Sequence, residues 1–229
     1  MKFAIIGVTG QTGSAVAKRL KASGHQVRAI VRTLKNAQAM QQLGYEAVLA
    51  SVEDWADLTA AFAGVDGAYL MNPPAYYADD MFAKAHEVHA HLLAALQKSG
   101  VPHAVALSSV GAQHAAGTGN ILTTHDFEQQ IKASGLNISV LRAANFLENW
   151  TGPIAKAQTD GVLPSMFLPL AKQWLMVSSQ DIGATAADLL MAGASAPALI
   201  ELHGPEPYSA KVVAVLAAAA SSLIKNPLN

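Results

Sequence analysis

The sequence predicts a doubly wound α/β fold: a parallel sheet with helices on both faces, followed by a smaller C-terminal α/β lobe. Three observations predict it. Short apolar runs alternate with helix-length amphipathic segments through the first 142 residues. A glycine-rich turn joins the first run to the first helix. The connections are short, as right-handed strand–helix–strand crossovers require.

Residues 2–8 form an apolar run ending in the glycine turn, which suits a strand buried on both faces. Residues 11–23 carry apolar or small groups at Ala15, Val16, Leu20 and Ala22, and Gly24 follows as a helix stop. A strand at 26–31, a helix near 35–43, a strand at 45–50, a helix at 53–63 and a strand at 67–71 continue the alternation. A long helix from about 78 to 99 closes at Ser99-Gly100-Val101-Pro102. Residues 103–107 then give another strand, followed by a loop of small residues at 108–120. A helix over 123–134, capped by Gly135, leads to a sixth strand at 138–141. Beyond Arg142 prolines become frequent and the rhythm loosens: helix 151–159, strand 174–177, helix 180–193, strand 199–203 and an Ala-rich helix after Ser209. The expected division is therefore a cofactor domain at 1–142 and a substrate lobe at 143–229.

Composition narrows the function. Side chains are 52% hydrophobic and 14% charged, against about 25% charged in an average soluble protein, enough to build a substantial core. Fifteen Lys and Arg against sixteen Asp and Glu leave a net charge of −1, without the cationic footprint that nucleic-acid binding needs. The absence of cysteine excludes thiolate nucleophiles, disulfides and cysteine metal sites. The longest apolar run, 212–220, is half of the roughly 18 residues that a membrane span needs. A cytoplasmic protein without a signal peptide is expected.

The most informative segment is Gly7-Val8-Thr9-Gly10-Gln11-Thr12-Gly13, between the first strand and the first helix. In such a turn Gly7 permits the bend, Gly10 lets the backbone approach a pyrophosphate and Gly13 lets helix and strand pack closely. The amides and positive dipole end of the helix then stabilise the phosphates without a basic side chain. The end of the second strand selects the dinucleotide. Arg32 stands there, and a guanidinium complements a 2′-phosphate where a carboxylate would accept from a free 2′-hydroxyl. NADP(H) is thus expected over NAD(H), with Lys35 able to share or replace the role of Arg32. Loops beyond the carboxyl ends of strands four and five edge such a cofactor. They hold Asn72-Pro73-Pro74 and Ser108-Ser109, whose hydroxyls suit either a carboxamide or substrate carbonyl, or nearby backbone groups.

These motifs, with Leu107-Ser108-Ser109-Val110-Gly111 and the stretch from Ser134 through Leu141-Arg142-Ala143-Ala144-Asn145-Phe146 to Asn149, resemble the NmrA-like group of atypical short-chain dehydrogenases/reductases over residues 2–208. The resemblance implies a Rossmann domain with a small C-terminal substrate lobe. It also implies either NADPH-dependent reduction of quinones and similar carbonyl compounds or non-catalytic NADP(H) sensing by a regulator. Carried onto this chain, it places Asn72, Pro73 and Pro74 along the ribose and nicotinamide, and Asn145, Phe146 and Asn149 on the substrate side, although ordinary packing accounts for Phe146 nearly as well; of the two serines, Ser108 is taken for the cofactor and Ser109 for the substrate. Ser51 stands where the family commonly has an Asp on the adenine edge. The chain after residue 208 departs from the usual continuation, so the lobe is expected to be short.

A typical short-chain dehydrogenase shows Tyr-x-x-x-Lys on the helix after strand five. Here Leu122-Thr123-Thr124-His125-Asp126-Phe127-Glu128 leaves His125 as the conventional proton donor. Glu128, three residues on, suits a structural ion pair. The missing dyad favours an acceptor that needs little protein-borne acid, a quinone, and tells against sugar-nucleotide epimerisation. His86, His89 and His91 lack zincin spacing, so no metal is expected; they suit a half-exposed helix face, a candidate homodimer contact.

Overall fold

The computed structural model describes residues 1–73, 75 and 77–225, the last five of these by backbone alone. The described chain forms two compact units, one of residues 1–143 with 179–202 and the other of 144–178 with 203 onward.

The first unit repeats strand and helix: β1 Lys2–Ile6, α1 Gln11–Ala22, β2 Gln26–Val31, α2 Leu34–Gln42, β3 Glu46–Leu49, α3 Trp55–Phe62, β4 Gly67–Leu70, α4 Met81–Ser99, β5 Ala104–Ser109, α5 Leu122–Ser134 and β6 Ile138–Ala143. The second unit begins with β7 Asn145–Phe146, α6 Thr151–Asp160 and β8 Trp174–Val177. The chain then returns to the first unit with α7 Ser179–Ala192 and β9 Leu199–Leu202, before β10 Pro207–Tyr208 and α8 Ala210–Lys225 complete the second.

The large sheet is parallel throughout, in the order β3-β2-β1-β4-β5-β6-β9. That is the doubly wound order with a seventh strand added beyond β6. The division at residue 142 thus needs correction: 179–202, expected in the C-terminal lobe, supplies α7 and β9 to the first unit. The physical reason is packing. Gly183 of α7 rides against α1 so closely that a Cβ there would lie 2.3 Å from the Ala15 Cβ, and β9 covers the edge of β6. The sequence reading also missed the two-residue strands β7 and β10, too short to show periodicity.

The core beneath α3, α4 and α5 joins Ala4, Ile6 and Leu70 of the strands to Leu58, Phe62, Leu92, Leu96 and Phe127 of the helices. Side chains such as Phe62 and Leu92, fully withdrawn from water, contribute about 1.5–3 kcal/mol each. Asp54 and Asp80 begin α3 and α4 by accepting from backbone amides two and three residues on. Tyr69 points to the opposite face, where its hydroxyl donates to Thr12 Oγ1 of α1 at 3.1 Å.

The second unit is built on a three-stranded sheet, β10-β8-β7. Trp150, Met176, Ala210 and Val213 form its core, with Phe167 stacked on Trp150 at 5.2 Å between ring centroids. No helix among the described residues is long and apolar enough to cross a membrane.

Candidate functional site

In a parallel sheet every strand ends on the same edge, and β1, β2, β3 and β4 are adjacent in the order β3-β2-β1-β4. The residues just beyond their ends, Gly7, Arg32, Ser51 and Asn72, are brought to one rim by that order.

The turn after β1 is tight. Gly7 has φ +69°, a left-handed conformation, and its carbonyl accepts from Gly10 N at 2.8 Å. A Cβ on Gly13 would lie 2.2 Å from that same carbonyl oxygen, so only glycine lets α1 begin here. Thr9, Gly10 and Gln11 are exposed, whereas Thr12 and Gly13 are buried. Helix geometry leaves the amides of Gln11, Thr12 and Gly13 without an intrahelical acceptor, and the first turn of α1 carries no acidic residue to occupy them. The Thr12 hydroxyl accepts from Tyr69, which ties the start of α1 to β4. Its amide keeps the place that the turn gives it. Burial pushes the Tyr69 phenol pKa up, with the Thr12 hydrogen bond opposing, so Tyr69 stays neutral.

Arg32, Ser51 and Pro73 share a cleft of about 470 Å³ with Val52, Ala75 and Lys84. Arg32 is exposed and has no charged partner among the described residues. Lys84, which sequence reading passed over, is tied to Glu53 at 3.2 Å and Glu87 at 3.3 Å. Ser51 Oγ accepts from Glu53 N at 3.2 Å, a local turn that leaves its proton available. Asp54 is committed to capping α3. Asn72 Nδ2 donates to Thr123 Oγ1 at 3.2 Å, and Asn72 Oδ1 is buried with no hydrogen-bond partner among the described residues. Pro74 lies outside the described residues.

Beyond β5 the serines turn inward. Ser108 Oγ donates to Glu128 Oε1, so its proton is committed to a carboxylate and its oxygen is left to accept. Glu128 is in turn gripped by Arg142, Nε to Oε1 at 2.9 Å and Nη2 to Oε2 at 2.6 Å, and Arg142 also reaches Glu201 at 3.1 Å. Hydrogen bonding to Glu128 raises the Arg142 pKa, burial opposing; the guanidinium stays charged. Ser109 Oγ donates to the Val110 carbonyl at 3.0 Å. His125 Nδ1 donates to the Ala112 carbonyl at 2.7 Å, which fixes the ring and leaves Nε2 uncommitted by that bond.

Of the three histidines on α4, His86 is exposed, His91 partly buried and His89 buried. His86 and His89 each donate from Nδ1 to a different oxygen of Asp126 at 2.9 Å, locking α4 to α5. His89 is fully buried and stacked on Phe127 at 4.4 Å. Burial would raise the Asp126 carboxyl, but hydrogen bonds from His86, His89 and Gln130 hold it below its ordinary value. Among the described residues no cluster of three metal-ligating side chains occurs.

In the second unit, Asn145 Nδ2 donates to the Leu175 carbonyl at 3.3 Å and Phe146 is half-buried in β7. This unit has its own cavity of about 410 Å³, lined by Trp150, Ile154, Val213 and Leu216 with Gln158 and Tyr208.

The model of the NmrA-like family matches residues 1–215. The chain is 24% identical over 225 residues to an NAD(P)H azoreductase of Xenophilus azovorans, covering 96% of this chain and 74% of that one. It is similar to the NADPH complex of the NADPH-dependent quinone oxidoreductase QOR2 of Escherichia coli, with 25% identity, a TM-score of 0.81, and coverage of 96% and 75% of the two chains. Triphenylmethane reductase of Citrobacter sp., complexed with NADP(H), gives 21% identity, a TM-score of 0.81 and the same coverage. The chain therefore spans about three quarters of the length of these relatives.

Proposed function

The chain belongs to the NmrA-like family, and from that premise we propose that it is an NADP(H)-binding oxidoreductase passing hydride from NADPH to a quinone or a similarly activated carbonyl compound. The observation that carries the proposal is the turn from β1 into α1, where the Cβ forbidden at Gly13 and the unengaged first amides of α1 make a cradle for a diphosphate. Arg32 on the same rim, with no charged partner among the described residues, fits the 2′-phosphate that distinguishes NADPH from NADH. Asn72 Oδ1, buried and without a hydrogen-bond partner among the described residues, is a second sign that a bound group is expected there.

Bound reduced nicotinamide would supply the hydride. The chain's part is to orient and to manage protons. The α1 amides hold the diphosphate, Arg32 and Ser51 hold the adenosine end, and Asn72 with Pro73 fixes the backbone beside the ribose. His125 is the proton donor of this reading: held through Nδ1 by Ala112, its imidazolium form presents the second proton on Nε2 to solvent or substrate. Ser109, at the end of β5 in the same unit, is assigned to the acceptor. The named relatives are reductases of quinones, dyes and azo compounds, which weighs against a purely regulatory role.

The test is NADPH oxidation, read as the loss of reduced-nicotinamide absorbance, with a panel of quinones. Turnover with NADPH exceeding that with NADH is expected. Tight NADPH binding with no turnover on any acceptor would refute the enzymatic reading.

A further inference from the structure

Asn72 is held at one end only. The Thr123 hydroxyl donates its single proton to the Asn120 carbonyl at 2.8 Å, so toward Asn72 it can only accept. The amide group 3.2 Å away must therefore present its nitrogen to Thr123. This fixes the orientation of the other atom: Oδ1 is turned away from Thr123, buried, and without a donor among the described residues. A carbonyl oxygen kept from water and left unpaired is costly, and such atoms in folded proteins call for an explanation.

Topology says which part of a ligand meets it. Asn72 lies just past β4, on the side of β1 away from β2 and β3. Arg32 and Ser51, at the ends of β2 and β3, take the adenosine end of the proposed dinucleotide, so Asn72 falls to the nicotinamide riboside end. The donors available there are the ribose hydroxyls and the carboxamide NH₂. Resting on that dinucleotide reading, we infer that Asn72 Oδ1 is an acceptor reserved for a hydroxyl or amide proton of the nicotinamide riboside, and that Thr123 on α5 is the positioning residue that keeps it so oriented. Sequence alone gives no sign of the pair, since the two residues are separated by 51 positions.

The experiment compares two probes on the same samples by calorimetry: NADPH, and adenosine 2′,5′-bisphosphate, which lacks the nicotinamide riboside. Thr123→Val keeps shape and burial but removes the acceptor for Asn72 Nδ2; Thr123→Ser keeps the hydroxyl. Thr123→Val is expected to weaken NADPH by about tenfold while leaving the bisphosphate within about twofold of wild type, and Thr123→Ser is expected to restore NADPH. Because both probes report on one preparation, partial unfolding would weaken both and leave their ratio unchanged. An unchanged ratio in Thr123→Val, or failure of Thr123→Ser to restore it, overturns the inference while the dinucleotide reading stands. If wild-type protein binds neither probe, the dinucleotide reading fails and the inference falls with it.

Discussion

Replacing Gly13 and Gly10 separately by alanine separates the architecture of the turn from its binding role. At Gly13 the new Cβ would lie 2.2 Å from the Gly7 oxygen, 2.6 Å from the Gly7 carbonyl carbon and 2.9 Å from Val8 N. All three neighbours are backbone, so none can swing aside as a side chain would. Overpacking of this kind costs about 1–3 kcal/mol, and an overlap of this depth against fixed atoms belongs at the upper end. Alanine returns about 1 kcal/mol of helix propensity, leaving a net loss of about 2 kcal/mol. For a chain of this size about 1 kcal/mol corresponds to roughly 2–4 °C, so the melting temperature of Gly13→Ala should fall by about 4–8 °C. At Gly10 the added Cβ would sit 3.2 Å from the Gly7 oxygen, a tight but tolerable contact. It would, however, stand on the exposed side of the turn, where a diphosphate must approach. Gly10→Ala should therefore melt within about 2 °C of wild type, less than 1 kcal/mol on the same scale, yet lose NADPH affinity by about tenfold or more, the worth of one strong hydrogen bond. Differential scanning calorimetry and titration calorimetry read the two quantities. Wild-type NADPH affinity in Gly10→Ala would refute the idea that this turn seats the diphosphate.

Arg32→Asp should weaken NADPH by about 10- to 100-fold, the worth of a charge-assisted hydrogen bond, with little change for NADH; equal losses would show that Arg32 does not read the 2′-phosphate. Arg142→Met strands Glu128, whose side chain is only 10% exposed, and breaking a buried pair from one side costs about 3–5 kcal/mol. Urea unfolding should show that loss, and a change under about 1 kcal/mol would mean that water screens the pair. Stability should also fall with acidification. Burial lowers the imidazole pKa of His89, against the opposing hydrogen bond to Asp126 and with His86 adding to the effect, and burial lowers that of His103. The unfolded chain thus takes up protons below the ordinary value of 6.5 while the folded chain resists them, so stability is full above pH 6.5 and declines as pH falls from there. Asp126, with its carboxyl pKa lowered, adds a further loss only below its ordinary 3.8. A melting temperature flat from pH 7.5 to about 5 would contradict the assignment of these buried histidines as neutral.

The strands and helices of the first 143 residues were legible because buried parallel strands and amphipathic helices leave different periods in the chain, and glycine marks the turns between them. The glycine turn after β1 was legible for the same local reason. The return of α7 and β9 to the first unit was not, because a proline-rich stretch intervenes and proximity in space leaves no local period. One signal was present: Gly183 within an otherwise Ala- and Leu-rich helix marks a place where another backbone comes close. Among the candidate site residues, sequence reasoning chose residue types well suited to polar contacts but could not say where their protons go. Ser108 finds Glu128, and Glu128 finds Arg142, 20 and 14 positions away. Thr12 finds Tyr69 across 57 positions. Such partnerships depend on register between neighbouring elements, which the order of residues does not disclose.

The late arrival of β9 has a consequence for synthesis on the ribosome. Until residue 199 has emerged, the outer margin of β6 offers its peptide groups to any passing strand, including one from a neighbouring nascent chain. Pausing of translation between β6 and β9 would lengthen that vulnerable interval, and aggregation during expression should rise with its duration.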